Sequence, residues 1–174
     1  MIDLTAPIQD FSFAPGITHM DLYYKGRRAG DASLVTDCVL LDLTDGAEEV
    51  ALQSLPALEL VRPGNSVILK TGWEQYRGMP QYDESPSVDR RLIEALVDRA
   101  VCLVLVDSPG VHGGAKGPEH NAMDKYLADN EAYAVENLVN VDEITEPRFH
   151  LYCFPMCLTK LNVAPCRVVA DLAP

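Results

Sequence analysis

The sequence predicts an α/β fold: a single domain, residues 1–174, in which a mixed β-sheet is flanked by helices. Three observations support this prediction. The chain has 174 residues, which is about the length of one domain. Short β-rich runs alternate with a few segments of helical periodicity. The run Val101–Val106 is almost entirely aliphatic, which is typical of a central strand with parallel neighbours.

The other elements follow from the same patterns. Ser87 is a predicted helix N-cap, because apolar residues follow it at helical spacing from Leu92 to Val97. Gly78–Pro86 is a predicted loop, since it holds prolines and a glycine and has no period. The remaining predicted strands are Leu34–Leu43, Ser66–Thr71, Ala132–Val135, Phe149–Phe154 and Arg167–Leu172, and a second predicted helix is Asn121–Ala128.

The charge balance limits the classes of partner. There are 14 Lys and Arg against 26 Asp and Glu, so the formal net charge is −12 at pH 7. Such a chain repels nucleic acid and anionic membrane surfaces, and it favours a small molecule, a metal ion or another copy of itself. The N-terminal residues lack the pattern of a signal peptide, and no apolar run is long enough to cross a bilayer. We therefore expect a cytoplasmic protein.

His19 and Asp21 form the first candidate site. On an extended segment, residues two apart share a face of the strand, so the imidazole and the carboxylate would point the same way. Such a pair can hold a metal ion. A histidine hydrogen-bonded to a neighbouring aspartate for structural reasons would have the same sequence, so both interpretations stay open.

A second candidate site is the segment His112–His120, which directly follows the most strongly predicted strand. In open α/β sheets, ligands bind at the carboxyl ends of the strands. The segment holds two of the four histidines together with a Lys and a Glu. Its glycines do not form a phosphate-binding loop, because Lys116 precedes a glycine rather than Ser or Thr. A site loop and a plain surface loop both fit the pattern.

Glu136 is the third candidate, since it lies among apolar residues between Val135 and Leu138. A buried carboxylate needs a cation, a hydrogen-bond network or a metal ion. A solvated strand face is the alternative.

Five stretches of the chain match, in order, those of one enzyme family. Thr18–Asp21 matches the centre of the motif His-x-Gly-Thr-His-x-Asp-x-Pro-x-His. The other matching segments are Val67–Trp73, Leu105–Pro109, Pro118–His120 with Glu136–Leu138, and Ala164–Ala170. Together they resemble the cyclase family that includes bacterial kynurenine formamidase and isatin hydrolase. The resemblance implies that family's fold, a swivelling β/β/α-like domain.

The resemblance also implies a metal site, with two histidines replaced. Pro15 stands where the family has its first ligand histidine, and Lys25 stands where it has a catalytic histidine. The ligands that carry over to this sequence are His19, Asp21, His120 and Glu136. One imidazole and two carboxylates (Asp21, His120 and Glu136) would form an open site for one divalent ion, Zn or Mn.

The implied activity is hydrolysis of an amide, lactone or ester, that is a C–N or C–O bond, in a small anionic substrate. A divalent ion lowers the pKa of its bound water to about 7, which gives a hydroxide that attacks the carbonyl. His112 is a candidate for proton transfer, because it lies in the same segment as His120, and Lys25 is a second candidate from its position in the motif. The candidate substrate-binding residues are Arg27, Arg28 and Trp73.

Two other interpretations stay open. The chain could be a degenerate, metal-free member of the family that acts as a binding or scaffold protein, as the loss of two histidines suggests. It could also have a rearranged, metal-free site that uses His19, His112 and His120. The resemblance further implies a homodimer or a larger homo-oligomer.

Overall fold

The computed structural model describes residues 1–8, 16–22, 35–113, 118–156 and 163–172, except for the side chain of His120. These residues contain eight strands and two α-helices. The strands are β1 (Ile2–Asp3), β2 (His19–Asp21), β3 (Val35–Asp42), β4 (Ser66–Lys70), β5 (Leu103–Val106), β6 (Tyr133–Glu136), β7 (Arg148–Pro155) and β8 (Val163–Asp171). The helices are α1 (Arg90–Asp98) and α2 (Pro118–Asp129). Among these residues, no helix has the length and apolar character needed to span a membrane.

The strands form one closed sheet. Their order is β1-β8-β2-β6-β5-β4-β3-β7, and β7 also pairs with β8, which completes the ring. Strands β3 to β6 are parallel to one another, whereas β2, β7 and β8 join their neighbours in antiparallel fashion. The predicted mixed sheet with flanking helices is confirmed, and β5 is central and parallel as predicted. The closure of the sheet is a feature that local patterns did not predict.

Strand alternation divides the apolar residues into two cores. In β5, Leu103 and Leu105 face the inside of the barrel, whereas Val104 and Val106 face the outer layer that α1 and α2 cover. Helix α1 contributes Leu92, Ile93 and Leu96 to that layer. Because β5 is buried on both faces, its sequence is continuously aliphatic rather than alternating.

Helix α1 begins two residues later than predicted. Its N-cap is Asp89, whose Oδ1 accepts a hydrogen bond from the Arg91 backbone amide at 2.9 Å. Asp89 Oδ2 also accepts one from the amide of Val50 at 2.9 Å. The hydroxyl of Ser87, the predicted cap, instead lies 2.6 Å from Nδ1 of His112. Tertiary contacts therefore decide between two residues that are both good caps.

Asp89 is expected to make stability fall in acid. The hydrogen bond from Arg91 is the main reason why the pKa of Asp89 lies at about 2, below its ordinary value of 3.8. Since the folded state favours the ionised form, this stabilisation is complete above about pH 4 and is lost as the pH falls towards 2. Asp89→Asn should lower the free energy of unfolding at pH 7 by about 1–2 kcal/mol, given that solvent screens Arg91. Urea unfolding of both proteins between pH 7 and pH 2 should show the difference shrinking with the pH, and a constant difference would contradict this assignment.

Two shifted boundaries matter for the site. Helix α2 begins at Pro118, so His120 lies in its first turn rather than in one loop with His112. Strand β6 ends at Glu136 and not at Val135. Glu136 is therefore held by strand pairing.

Candidate functional site

The pairing of β2 with β6 brings together His19 and Glu136, two of the four predicted metal ligands. These two residues are directly opposite in the register. Their neighbours Met20 and Val135 belong to the barrel interior, so His19 and Glu136 point to the other face of the sheet. His19 Nε2 lies 3.4 Å from Glu136 Oε2, and the side chains are only 14% and 6% exposed. A third predicted ligand, Asp21, follows two residues after His19 and shares its face of β2.

The second ring nitrogen of His19 fixes the orientation of the imidazole. Nδ1 lies 2.9 Å from the Ile17 carbonyl oxygen, which can only accept, so Nδ1 carries the proton in the neutral ring. The lone pair is then on Nε2, which faces Glu136, and this is the arrangement found in metal-binding histidines. In the charged ring Nε2–H faces Glu136 instead: burial lowers the pKa of His19, but this hydrogen bond and the charge of Glu136 outweigh it and leave the pKa above 6.5.

Glu136 fits a bound cation. The whole residue is only 4% exposed. Its Oε1 has no hydrogen-bond partner among the described residues. A buried carboxylate oxygen without a partner is costly unless a cation or water satisfies it. An imidazole lone pair beside such an oxygen is a suitable donor pair for Zn or Mn.

The described residues supply only part of a complete ligand set. Within them, no three His, Cys, Asp or Glu side chains are close enough to hold a metal ion. The side chain of His120, the fourth predicted ligand, is outside the described part, as is Pro15.

Asn137 directly follows β6, and its side chain contacts that of His19. It adopts a left-handed conformation with φ of 63°, and its backbone is fixed on both sides: the amide donates to Ser108 O at 3.0 Å, and the carbonyl accepts from Thr18 Oγ1 at 2.8 Å. Its Nδ2 lies 3.5 Å from His19 Nδ1. Because both nitrogens carry protons, this is a packing contact rather than a hydrogen bond, and it places Asn137 against one edge of the imidazole. The resemblance included it in the segment Glu136–Leu138, but did not indicate this contact.

Tyr82 is a site residue that the sequence did not reveal. Its hydroxyl donates to Asn137 Oδ1 at 3.0 Å, and its side chain is buried in a 3₁₀-helix, Pro80–Glu84, within the predicted loop. Burial is the main cause that raises the pKa of Tyr82, so the phenol stays protonated and holds the Asn137 amide with Nδ2 towards His19. No periodic pattern surrounds Tyr82, so the only sequence signal was its aromatic character in a loop.

Asp107 is a second buried carboxylate, at the end of β5. It accepts hydrogen bonds from the Thr71 amide at 2.8 Å, from Thr71 Oγ1 at 2.6 Å and from the Gly72 amide at 2.8 Å. Burial raises the pKa of Asp107, although these three bonds oppose the shift. Asp107 thus fixes the turn at Thr71 and Gly72, where Gly72 has a φ of 74° that favours glycine.

Trp73 follows that turn and is half-buried. Its Nε1 donates to the Tyr82 carbonyl at 3.0 Å, and its ring packs 4.7 Å from that of Tyr76. It also lines a groove of about 470 Å³ together with Thr44 and Glu48. The structure therefore places this predicted substrate-binding residue next to Tyr82.

Of the remaining predicted residues, the structure describes His112. His112 lies against Ser87, and its Nε2 is 3.6 Å from Glu119 Oε2. The adjacent Gly113 approaches the chain so closely that a Cβ there would lie 1.9 Å from the Ser85 carbonyl oxygen. This close approach fixes His112 beside Ser87. Outside the described residues lie Lys25, Arg27 and Arg28.

Comparison with known proteins gives one family and several similar structures. The model of the family described as "Putative cyclase" matches residues 2–112, a range that contains His19 but ends before His120 and Glu136. No curated protein matches the sequence.

The similar structures have nearly the same extent as this chain. A potential metal-dependent hydrolase with cyclase activity is 22% identical with a TM-score of 0.76, covering 99% of this chain and 98% of its own. A predicted metal-dependent hydrolase from Bacillus stearothermophilus is 20% identical with a TM-score of 0.74, covering 97% and 96%. Isatin hydrolase A from Ralstonia solanacearum is 16% identical with a TM-score of 0.73, covering 97% and 90%. These similarities show a shared fold.

Proposed function

The chain belongs to the Putative cyclase family, and we propose that it is a metal-dependent hydrolase that cleaves an amide, lactone or ester bond in a small anionic substrate. The observation that carries this proposal is the buried pair of His19 and Glu136, in which Nε2 lies 3.4 Å from Oε2 and the carboxylate's Oε1 has no partner among the described residues. Two proteins of the same fold are described as metal-dependent hydrolases, and they support it.

The proposed ligands of one Zn or Mn ion are His19, Asp21, His120 and Glu136. When bound, the ion supplies a Lewis acid that polarises the carbonyl group and acidifies water. The chain's own residues prepare this site. Ile17 fixes the proton of His19 on Nδ1, and Asn137 packs against the same edge of the ring. Proton transfer is assigned to His112, which Ser87 orients, or to Lys25.

Substrate binding is assigned to Trp73, Arg27 and Arg28, and the active form to a homodimer or larger homo-oligomer in the cytoplasm. Light scattering coupled to size-exclusion chromatography measures the assembly directly. The alternative function is that of a metal-free binding protein. It is favoured by the proline at position 15, which cannot ligate a metal, and by the lack of a three-ligand cluster within the described residues.

Elemental analysis distinguishes these functions. The full chain, repleted with Zn or Mn and exchanged into metal-free buffer, should hold about one equivalent per chain, and His19→Ala should lose most of it because an open site has few ligands to spare. The matched control is His150→Ala, since His150 is 55% exposed and pairs with Asp37 instead. The loaded protein should also hydrolyse members of a panel of aryl amides, lactones and esters. Metal at background level in the wild type would contradict the proposal and leave the binding protein.

A further inference from the structure

Arg77 is one of two described cations without an acidic partner, and of these two it is the half-buried one. Of the nine Lys and Arg side chains that the structure describes, seven form ion pairs with Asp or Glu. Arg62 donates instead to the backbone carbonyls of Glu59 and Val61. Among the described residues, Arg77 has a hydrogen bond to the hydroxyl of Tyr82, at 3.3 Å, and a contact with its ring, and no other polar partner. In a chain with a net charge of −12, a half-buried guanidinium without a carboxylate needs an explanation.

The position of Arg77 connects it to the candidate site. Its Nη1 reaches Tyr82, whose hydroxyl reaches Asn137, whose amide contacts His19. From the other side, a Cβ on Gly16 would lie 3.6 Å from Nη2 of Arg77, and Gly16 precedes His19 by three residues. The guanidinium therefore lies next to Gly16 and is connected to His19 through Tyr82 and Asn137.

The contact with Tyr82 holds the guanidinium without neutralising it. The Arg77 Cζ lies 5.7 Å from the centroid of the Tyr82 ring, a distance suitable for a cation–π contact. Within the described part of the chain, only Nη1 donates a hydrogen bond. A guanidinium has five N–H donors in a planar fork that matches a carboxylate, so donors are left for a ligand.

We infer that Arg77 is the anion-binding residue of the candidate site and that it takes the carboxylate of the substrate. The inference rests on the proposed function for the location of the reaction, but not for the binding itself. An anion approaching this acidic protein is repelled at long range, so its recognition requires a local cation. Arg77 supplies that charge on a side chain that Tyr82 holds, and Tyr82 contacts His19 through Asn137. It acts as a specificity-determining residue, because a neutral analogue gains nothing from it.

Two probes of equal shape test the inference: benzoate and its neutral counterpart benzamide. Trp73 is the only tryptophan and donates its indole N–H to the carbonyl of Tyr82, so its indole resonance in a ¹⁵N-correlated spectrum is a local reporter. In the full chain as purified, benzoate should shift this resonance in a saturable manner and bind at least tenfold more tightly than benzamide. Arg77→Gln should abolish this preference, and Arg77→Lys should restore part of it.

Arg90→Gln is the matched control. Arg90 also lies over a tyrosine ring, at 5.2 Å from the centroid of Tyr126, but it is paired with Glu94. This variant should bind benzoate as the wild type does. Thermal unfolding of each variant identifies any loss of folding, and Arg77→Lys, which keeps the charge, preserves the test if Arg77→Gln is unstable.

The outcomes separate this inference from the proposed function. Benzoate binding that is unchanged in Arg77→Gln, or no stronger than benzamide binding, overturns the inference even if the metal analysis and hydrolysis succeed. Binding that depends on Arg77 in a protein without metal or hydrolysis upholds the inference, while the hydrolase proposal fails.

Discussion

Glu136→Gln is expected to abolish metal binding and hydrolysis while leaving the chain as stable as before, or more stable by about 1 kcal/mol. The substitution keeps the shape of the side chain but removes its charge. Partners that only orient a ligand are worth 10–100-fold, so loss of a direct ligand should lower activity by more than about 100-fold. In mildly alkaline buffer, where His19 is neutral and no ion pair is lost, stability should not fall, because a buried charge with an unpartnered oxygen is costly in the folded state.

Metal content, hydrolysis rate and urea unfolding, all on the same preparation, check this expectation. The unfolding measurement needs a chelator, since bound metal would stabilise the wild type selectively. The control is Glu94→Gln, whose side chain is 44% exposed in a surface pair with Arg90, and which should change none of the three quantities. Loss of more than about 2 kcal/mol in Glu136→Gln would instead identify Glu136 as a structural residue.

Local patterns were enough to predict the strands that are buried on both faces. Val101–Val106 is apolar throughout and Ser66–Thr71 has the apolar centre Val67–Leu69, and the structure has β5 and β4 there. The ends were less predictable, because a boundary depends on which backbone groups find partners. Asp89 rather than Ser87 caps α1 since the Val50 amide needs its carboxylate, and nothing near residue 89 in the sequence indicates that contact.

Closure of the barrel could not be read from any one segment. It depends on the pairing of β8 with β7 along one edge and with β2 and β1 along the other. Although β7 and β8 are consecutive, β1 and β2 pair with β8 from the opposite end of the chain. The patterns therefore predicted strands and a mixed sheet, and the order of the strands came only from the structure.

The candidate site resembles the fold in this respect: its residues were predicted from the sequence, but their arrangement was not. His19 and Glu136 were predicted separately, and the register of β2 and β6 is what places them opposite each other. The resemblance indicated both residues through motifs, whereas Tyr82 and Arg77 lie in irregular segments where no pattern distinguishes a site residue from a surface one. The assignments of Lys25, Arg27 and Arg28 stay predictions.

Asp107→Ala is expected to have the opposite effect from Glu136→Gln: a loss of about 3 kcal/mol in the free energy of unfolding. Asp107 and Glu136 are both buried acids at the ends of neighbouring strands, but Asp107 accepts three hydrogen bonds from Thr71 and Gly72. Truncation would leave these donors without an acceptor, and each buried unsatisfied donor costs about 1–3 kcal/mol. The turn that carries Trp73 would also lose its anchor.

Asp42→Ala is a close control for this prediction. Asp42 Oδ1 accepts hydrogen bonds from the Thr44 amide at 3.0 Å and from Thr44 Oγ1 at 2.6 Å, the same two threonine donors that Thr71 offers to Asp107, although Thr44 is a near neighbour in sequence and Thr71 is not. Its side chain is 56% exposed, so water can replace the lost acceptor and the cost should stay below about 1 kcal/mol. Urea unfolding of both variants at neutral pH measures the difference. Equal losses would show that the pair of threonine hydrogen bonds, and not the burial of the carboxylate, determines the loss in the free energy of unfolding. A much larger loss at Asp107 would mean that this buried carboxylate stabilises the fold through its three hydrogen bonds. Glu136, whose Oε1 has no hydrogen-bond partner among the described residues, is then the buried acid that is available for a metal ion.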